Sequence, residues 1–499
     1  MIRRLLIANR GEIAVRIAAA CRELGIESVA VYSDADAGAA HVAAADRAIR
    51  IGPAPASESY LDSAAILEAV RSTGADAVHP GYGFLSENAA FASACRDARV
   101  LLVGPAPEAI RRMGSKIEAR AAVSASGVPV VPGVTPADQT DAGIATAIAA
   151  IGYPALVKAS AGGGGRGMRQ VPASADAIDA VRAARREAQG AFADGTLYVE
   201  RLIERPHHVE VQIIGDTHGH IVHLFERECS AQRRHQKVLE ESPSPNLTPG
   251  LRRRMTDAAV RAARAVSYLN AGTVEFLVDL AGGRSDDAPF YFLEMNTRLQ
   301  VEHPVTELVT GVDLVRAQLL VASGEPLPWT QADFVQRGHT IEARVYAEDP
   351  SRGFLPQAGR LLLYREPRRP GIRVDSGVRE GDTIGVHYDA LLAKVIATAE
   401  TRPLAIARLI CALREFPVLG VGTNIPFLIR VLETTEFREG RVHTGFLDRE
   451  GAALAIGLAD EPPPLLRAVE RAVQEHGSTR QNGGPAVDPW QSVRGWAVR

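Results

Sequence analysis

The stretch Glu294-Met-Asn-Thr-Arg-Leu-Gln-Val-Glu302-His-Pro-Val-Thr-Glu307 gathers three carboxylates, two amides and a guanidinium into one short run. A strand does not bury that many polar groups without a ligand to satisfy them. The segment Phe290-Tyr-Phe-Leu-Glu-Met-Asn alternates, so Glu294 and Asn296 share a face, while Arg298 and Glu302 follow in a less regular segment. Upstream, Gly272-Thr-Val-Glu-Phe-Leu-Val-Asp279 reads as a β-branched strand, and Ala281 to Pro289 has loop chemistry. The two strands predict an antiparallel hairpin that sets Glu275 against Glu294. Oxygen ligands of that kind, completed by phosphate oxygens and water, suit Mg²⁺. Glu275 alone would read equally well as a solvated acid; Glu294 and Asn296 on the opposing strand favour the metal site.

A second chemical signal is Lys158-Ala-Ser-Ala-Gly162-Gly163-Gly164-Gly165-Arg-Gly167. It lies between Tyr153-Pro-Ala-Leu-Val and Met168-Arg-Gln-Val, and so predicts a strand, a glycine loop and a second strand. Neither a Walker A loop nor a Gly-x-Gly-x-x-Gly run opening a helix is present. Backbone N–H groups in such a loop can approach phosphate closely, and Lys158 adds a point charge. A flexible linker is the plainer alternative, but linkers seldom join two apolar strands.

The rest of the chain must position these groups. With 46% hydrophobic and 23% charged residues, it is long enough for about three domains. A net charge of −3 with no basic stripe argues against nucleic acid as a partner. Cys21, Cys95, Cys229 and Cys411 are scattered without paired spacing, which predicts free thiols in a reducing compartment. No apolar run suggests a membrane span and no signal peptide is evident, so a cytoplasmic location is expected.

Strand, helix (Glu12 to Leu24, closed by Gly25) and strand predict a Rossmann-like α/β opening. Its dinucleotide fingerprint is missing, so Asp34 and Asp36 are expected in a solvated loop. The loop Pro80-Gly-Tyr-Gly-Phe84 follows the strand Ala75 to His79, where open α/β sheets bind ligands, making Tyr82 a candidate substrate contact. Lys116 is expected on a helix. Alanine-rich helices between about 131 and 204 predict a light, mobile lid. Thr248-Pro249 caps an amphipathic helix whose face Leu251, Met255, Ala258, Ala262, Val266 and Leu269 is core.

Several motifs carry a resemblance. The glycine loop, Glu275, Glu294-x-Asn296 and Arg298-x-x-x-Glu302-His together resemble the ATP-grasp fold. Ala8-Asn-Arg-Gly-Glu-Ile-Ala, His79-Pro-Gly-Tyr-Gly-Phe-Leu-Ser-Glu-Asn88, Glu226-Arg-Glu-Cys-Ser-Ala-Gln-Arg-Arg-His-Gln-Lys237 and Ile341-Glu-Ala-Arg344-Val-Tyr-Ala-Glu-Asp-Pro350 resemble biotin carboxylase. The similarity runs from residue 2 to about 447. It implies a Rossmann-like N-terminal domain (1–113), an ATP-grasp domain with its lid (114–334), a mixed α/β C-terminal domain (335–447) and a linker-like tail (448–499).

The resemblance also implies chemistry. ATP, with Mg²⁺ or Mn²⁺, would phosphorylate bicarbonate to carboxyphosphate, and CO₂ released from it would carboxylate biotin. Matched residue by residue, Lys116, Lys158, His208 and Lys237 would contact ATP or its phosphates. Glu200 and Ile203 would lie at the adenine end, with Gln232 and His235 near the nucleotide. Glu275, Glu294 and Asn296 would hold the metal. Arg298, Gln300, Val301 and Glu302 would bind bicarbonate, with Glu302 its base, and Tyr82 and Arg344 would meet biotin.

The chain has no Met-Lys-Met tripeptide, so biotin is expected on a separate carrier protein, with carboxyltransferase on further subunits. A homodimer is implied. Phe354 to Leu361 and the terminal Asp488 to Trp496 segment lean toward the acyl-CoA carboxylases. His207 and Arg201 stand where the family commonly has Arg and Lys. Competing readings are an Arg298–Glu302 pair with no catalytic role, an ATP-grasp ligase with an amine acceptor, and a scaffold or truncated α chain. Tyr82 and Arg344 argue against the amine acceptor; intact Lys158, Lys237, Glu275, Glu294, Glu302 and Arg344 argue against lost chemistry.

Overall fold

Three sheets set the chemistry in place. The computed structural model describes residues 1–160, 168–192 and 194–457; Gly162, Gly163, Gly164 and Gly165 and the tail from 458 lie outside the described residues.

The first sheet is parallel, in the order β3-β2-β1-β4-β5, built from β1 (Arg4–Ile7), β2 (Glu27–Ser33), β3 (Arg47–Gly52), β4 (Ala77–His79) and β5 (Leu101–Leu102). Between β1 and β2 runs the helix Gly11–Leu24, ended by Gly25 in the left-handed region at φ 68°. Strand order reverses between β1 and β4, and the expected ligand-side loop sits there. Asn9, just past β1, donates its Nδ2 to the carbonyls of Pro80 and Tyr82, both at 2.7 Å. Gly81 has φ 62°, and a Cβ there would meet Asn9 Nδ2 at 2.8 Å, so both backbone conformation and space require glycine. One expectation fails here. Asp36 is buried, bound by Arg10 and by the Tyr60 hydroxyl, because a bidentate guanidinium makes burial of its charge tolerable. Only Asp34, paired with Arg50, lies in the exposed setting expected for both.

The second sheet is antiparallel, in the order β6-β9-β7-β8, from β6 (Gly133–Val134), β7 (Ala155–Ala159), β8 (Met168–Val171) and β9 (Leu197–Arg201). β7 and β8 are the strands expected on either side of the glycine loop. Helices Asp141–Ile151 and Ala177–Phe192 cover it through Ile144, Ile148, Val181, Ala184 and Ala188.

The third sheet has eight strands. β10 (His207–Gly215), β11 (Ile221–Arg233), β12 (Gln236–Ser242), β13 (Asn270–Val278), β14 (Phe290–Asn296) and β15 (His339–Tyr346) run in the order β14-β13-β10-β11-β12-β15, and strands Leu391–Ala399 and Ile372–Ser376 extend it. It is continuous across the expected boundary at 334/335, because β12 pairs with β15. Alternation decides its two faces. Val209, Val211, Ile213, Val274 and Phe276 pack with Leu251, Met255, Ala258 and Ala262 of the helix Pro249–Ala265, capped as expected by Thr248. The opposite face carries His208, Glu210, Gln212, Thr273 and Glu275, all buried.

His79 closes β4 and is fully buried. Gly81 N–H donates to its Nδ1 at 2.9 Å, so its own proton sits on Nε2, 3.2 Å from Gln318 Oε1. Burial pushes its pKa down to about 4. A histidine depressed on folding stabilises the fold fully above the unfolded pKa of about 6.5, and that contribution is lost as pH falls from there toward 4. Unfolding free energy measured by denaturant titration should therefore drop over this interval. The share removed by His79→Gln should shrink by at most about 1.4 kcal/mol per pH unit.

Candidate active site

The buried face of the third sheet carries a row of charges. Arg227, Glu210, Glu275 and Glu294 are successive register partners on β11, β10, β13 and β14. Like charges directly opposed on a sheet repel, and burial magnifies the repulsion. Three cations offset it. The fully buried Arg227 guanidinium donates to Glu210 at 2.6 Å, Gln212 at 2.8 Å, Thr306 at 2.9 Å and Thr273 at 3.2 Å. His208 Nε2 lies 2.9 Å from Glu275. Lys237 Nζ lies 2.6 Å from Glu210, 3.0 Å from Glu275 and 2.6 Å from Glu302.

Titration follows from this crowding. Burial opposes the charge on Lys237, but Glu210, Glu275 and Glu302 hold its pKa well above the ordinary range. Glu302 is fully buried at the entry to the helix His303–Thr310; burial alone would raise it, and Lys237, Arg344 and Arg227 hold it well below the usual carboxylate range. Burial likewise opposes ionisation of Glu275, yet Lys237 and His208 win and lower it. His208 moves up because the Glu275 carboxylate outweighs its own burial. Glu294 is the odd member of the row. Half-buried and with no hydrogen bond or ion pair among the described residues, it is raised by burial and by the charges of Glu275 and Glu87.

These observations test the fit of a divalent metal. Glu275 and Glu294 oppose each other with excess negative charge that a cation would relieve, and both present oxygen ligands. Asn296, expected beside them as a ligand, donates its Nδ2 to Glu275 at 2.7 Å and accepts at its Oδ1 from Arg298 at 3.3 Å. The residues therefore fit Mg²⁺ or Mn²⁺ through the two carboxylates, with Asn296 tying Glu275 to Arg298.

Arg298 and Glu302 do not pair with each other. The chain between Asn296 and His303 is not helical, so their i, i+4 spacing does not bring them together. Arg298 Nε instead takes Glu87 at 3.0 Å, and its Nη1 takes Gln300 Oε1 at 3.0 Å. Gln300 Nε2 reaches Glu275 at 3.3 Å. Glu302 spends its second oxygen on Arg344 Nη2 at 2.9 Å. The Val301 carbonyl accepts from Lys394 at 2.8 Å. Tyr82 donates its hydroxyl to Glu12, and burial and then the Glu12 charge push its pKa well above the ordinary range against the pull of Arg344.

A second cluster forms on the smaller sheet. Buried Lys158 pairs with Glu200, which also accepts from the Tyr198 hydroxyl, and Arg120 lies 4.0 Å away. Lys116 opens the helix Lys116–Ala125; burial and then Lys158 lower its pKa against the pull of Glu294 and Glu200. Ile203 is buried beyond β9. Gln232 is buried with its Oε1 3.5 Å from His208 Nδ1. His235 is exposed in the two-residue turn joining β11 to β12, where Arg234 and His235 both have positive φ.

Sequence reasoning passed over Glu87, Glu210, Arg227 and Lys394. The strict alternation His208-Val-Glu210-Val-Gln212 could have revealed Glu210. Glu87 and Arg227 lie inside motifs already singled out. Lys394 has no local signal, because Leu391–Ala399 reads as plain buried strand.

Opposed carboxylates on one antiparallel sheet, a buried lysine on a second, and a glycine-rich sequence joining two strands of that second sheet define an ATP-grasp enzyme. Comparisons with known proteins refine this. A family model described as carbamoyl-phosphate synthase L chain, ATP binding domain, matches residues 115–330; models of the biotin carboxylase N-terminal and C-terminal domains match 1–110 and 342–449. Biotin carboxylase 2 of Bacillus subtilis is 49% identical over 448 residues, covering 90% of this chain and 99% of that protein. The mitochondrial methylcrotonoyl-CoA carboxylase subunit alpha of Oryza sativa subsp. japonica is 50% identical over 90% of this chain, which spans only 60% of that protein. Among solved structures, the Campylobacter jejuni biotin carboxylase in a β-γ-ATP complex superposes with a TM-score of 0.86 at 42% identity, covering 90% of this chain and 99% of that one. The Hydrogenobacter thermophilus 2-oxoglutarate carboxylase biotin carboxylase domain, a dimer with MgADP, ADP and bicarbonate, gives 0.86 at 41% identity, covering 91% and 99%. The chain belongs to the biotin carboxylase family.

Removing Arg227 would leave Glu210 only Lys237, a cation it already shares with Glu275 and Glu302. Arg227→Met should destabilise the protein by about 3–5 kcal/mol in denaturant unfolding, and adding Glu210→Gln should recover part of that loss.

Proposed function

We propose that this chain catalyses the ATP-dependent carboxylation of biotin borne by a biotin carboxyl carrier protein, with bicarbonate as the carbon source and ADP, phosphate and carboxybiotin as products. The observation that carries the reading is Lys237, whose ammonium joins Glu275 of the metal pair to Glu302, itself bound to Arg344. Metal carboxylate, base and acceptor-side cation thus lie within one hydrogen-bonded unit. Mg²⁺ or Mn²⁺ held by Glu275 and Glu294 would neutralise charge on the transferring phosphoryl oxygens.

Arg298, fixed by Glu87 and Gln300, offers the cation that holds bicarbonate beside Glu302. Glu302, kept ionised, accepts the bicarbonate proton as the freed oxygen attacks the terminal phosphorus of ATP. ADP leaves with the electron pair of the broken bond, giving carboxyphosphate. Lys237 drawn toward those phosphoryl oxygens withdraws a cation from Glu302 and so raises its basicity when it must take the proton. Carboxyphosphate then breaks its carbon–oxygen bond to CO₂ and phosphate. Phosphate takes the ureido N–H proton, the nitrogen attacks CO₂, and Arg344 stabilises negative charge on the ureido oxygen. Lys116, Lys158 and His208 complete the phosphate cradle, with Glu200 and Ile203 toward the adenine.

The same reading makes the chain the first half of an acetyl-CoA or other acyl-CoA carboxylase, working with carrier and carboxyltransferase partners and as a homodimer. Cytoplasmic placement is supported by free thiols at all four cysteines. Among the described residues no helix is long and apolar enough to cross a membrane.

Phosphate release from ATP, Mg²⁺ and bicarbonate, with and without free biotin, tests this. Biotin should stimulate release in the wild type, and Glu302→Gln should abolish the stimulation. Arg344→Ala should lower biotin-dependent turnover by about 100-fold or more. Bicarbonate-dependent release indifferent to biotin and to carrier protein would sink the reading.

A further inference from the structure

Behind Arg344 lies a pair of carboxyl groups that the reaction above does not use. Glu240 on β12 and Glu342 on β15 are register partners, so their side chains leave the sheet on the same side, and Arg344 follows two residues along β15. Glu240 is 1% exposed and Glu342 0%. Arg344 Nε donates to Glu240 Oε1 at 2.6 Å while its Nη2 takes Glu302 at 2.9 Å. Glu240 Oε2 and both oxygens of Glu342 are sealed from solvent with no hydrogen-bond partner among the described residues.

An ionised carboxylate in that position is cut off from bulk solvent and has no protein donor among the described residues. Lys394, the register partner of Arg344, could have supplied one. Its ammonium is committed instead to Val301 at 2.8 Å, Glu12 at 3.1 Å and Asp375 at 3.7 Å. A third anion against Arg344, beside Glu240 and Glu302, would also cancel the field that the guanidinium must present to an oxyanion.

We propose that Glu240 is the positioning residue for Arg344 and that Glu342 is held as a neutral carboxylic acid, so that the pair carries a single negative charge. The assignment of Arg344 rests on the biotin carboxylation reading; the protonation of Glu342 does not. The charged groups facing Glu240 are Arg344, Glu302 and Lys237, and those facing Glu342 are Lys394, Glu240, Arg344 and Glu302. Burial dominates at both, lifting Glu342 well above the carboxylate range and Glu240 to about 7. Glu240, gripped by the guanidinium, is the more readily ionised member of the pair. With its Nε edge fixed on Glu240, Arg344 has a set orientation for its remaining N–H groups.

Two measurements separate the parts. Infrared difference spectra of wild type against Glu342→Gln, at neutral pH and without substrates, should show a protonated-carboxyl stretching band that the variant lacks. Glu240→Gln should lower kcat/KM for biotin about tenfold or more while biotin-independent, bicarbonate-dependent ATP cleavage stays within about threefold. Glu240→Asp should recover part of the loss. Absence of the infrared band overturns the neutral Glu342, and an equal fall of both rates in Glu240→Gln overturns the positioning role. A band present in an enzyme with no biotin-dependent turnover leaves Glu342 as assigned and removes the carboxylation reading instead.

Discussion

The third sheet is organised around a repulsion. Glu210, Glu275 and Glu294 oppose one another on adjacent strands, and that row can be buried only because Arg227, His208 and Lys237 surround it. Lys237 is the shared element, since one ammonium serves Glu210, Glu275 and Glu302. Remove the compensation and the sheet would have to protonate its acids or admit water. The arrangement is suited to highly charged ligands, because an incoming phosphate and its metal exchange with charges already held in place, with little reorganisation.

Other parts of the chain are built to serve that row. The parallel sheet sends Glu87 to Arg298 from the end of β4, where the strand order reverses and Asn9 holds the Tyr82 loop. The far strands of the large sheet deliver Arg344 and Lys394 from the other side. Irregular pairing between β11 and β12, with register shifts between Glu228 and Gln232, lets Lys237 and Glu240 reach the same cluster although they are three residues apart. Local irregularity thus does what strict alternation would forbid.

Much of this was legible beforehand. The hairpin opposing Glu275 and Glu294, the strands on either side of the glycine loop, the capped helix after Thr248 and the ligand loop after β4 each follow from a periodicity or turn signal spanning a few residues. Contacts distant in sequence decide the rest. Asp36 was expected in solvent and is buried, because its partners Arg10 and Tyr60 are distant in sequence. Arg298 and Glu302 have helical spacing, but tertiary contacts with Glu87, Lys237 and Arg344 claim both charges. His235 shares a motif with the buried Glu226, Arg227 and Glu228, yet the tight turn leaves it exposed beside Arg234.

What the sequence determined by itself was most of the strands and helices, the shared face of residues on regularly alternating strands such as Glu294 and Asn296, and the membership of a family that matches nearly its whole described length. Those are properties of local periodicity and motif order. Which charges meet was decided only by the tertiary structure, since an ion pair between Lys237 and Glu302, or between Arg344 and Glu240, depends on sheet order and register across separations of 65 and 104 residues. The protonation states of the buried acids belong to that second level too, because burial and neighbouring charge exist only once the strands have assembled.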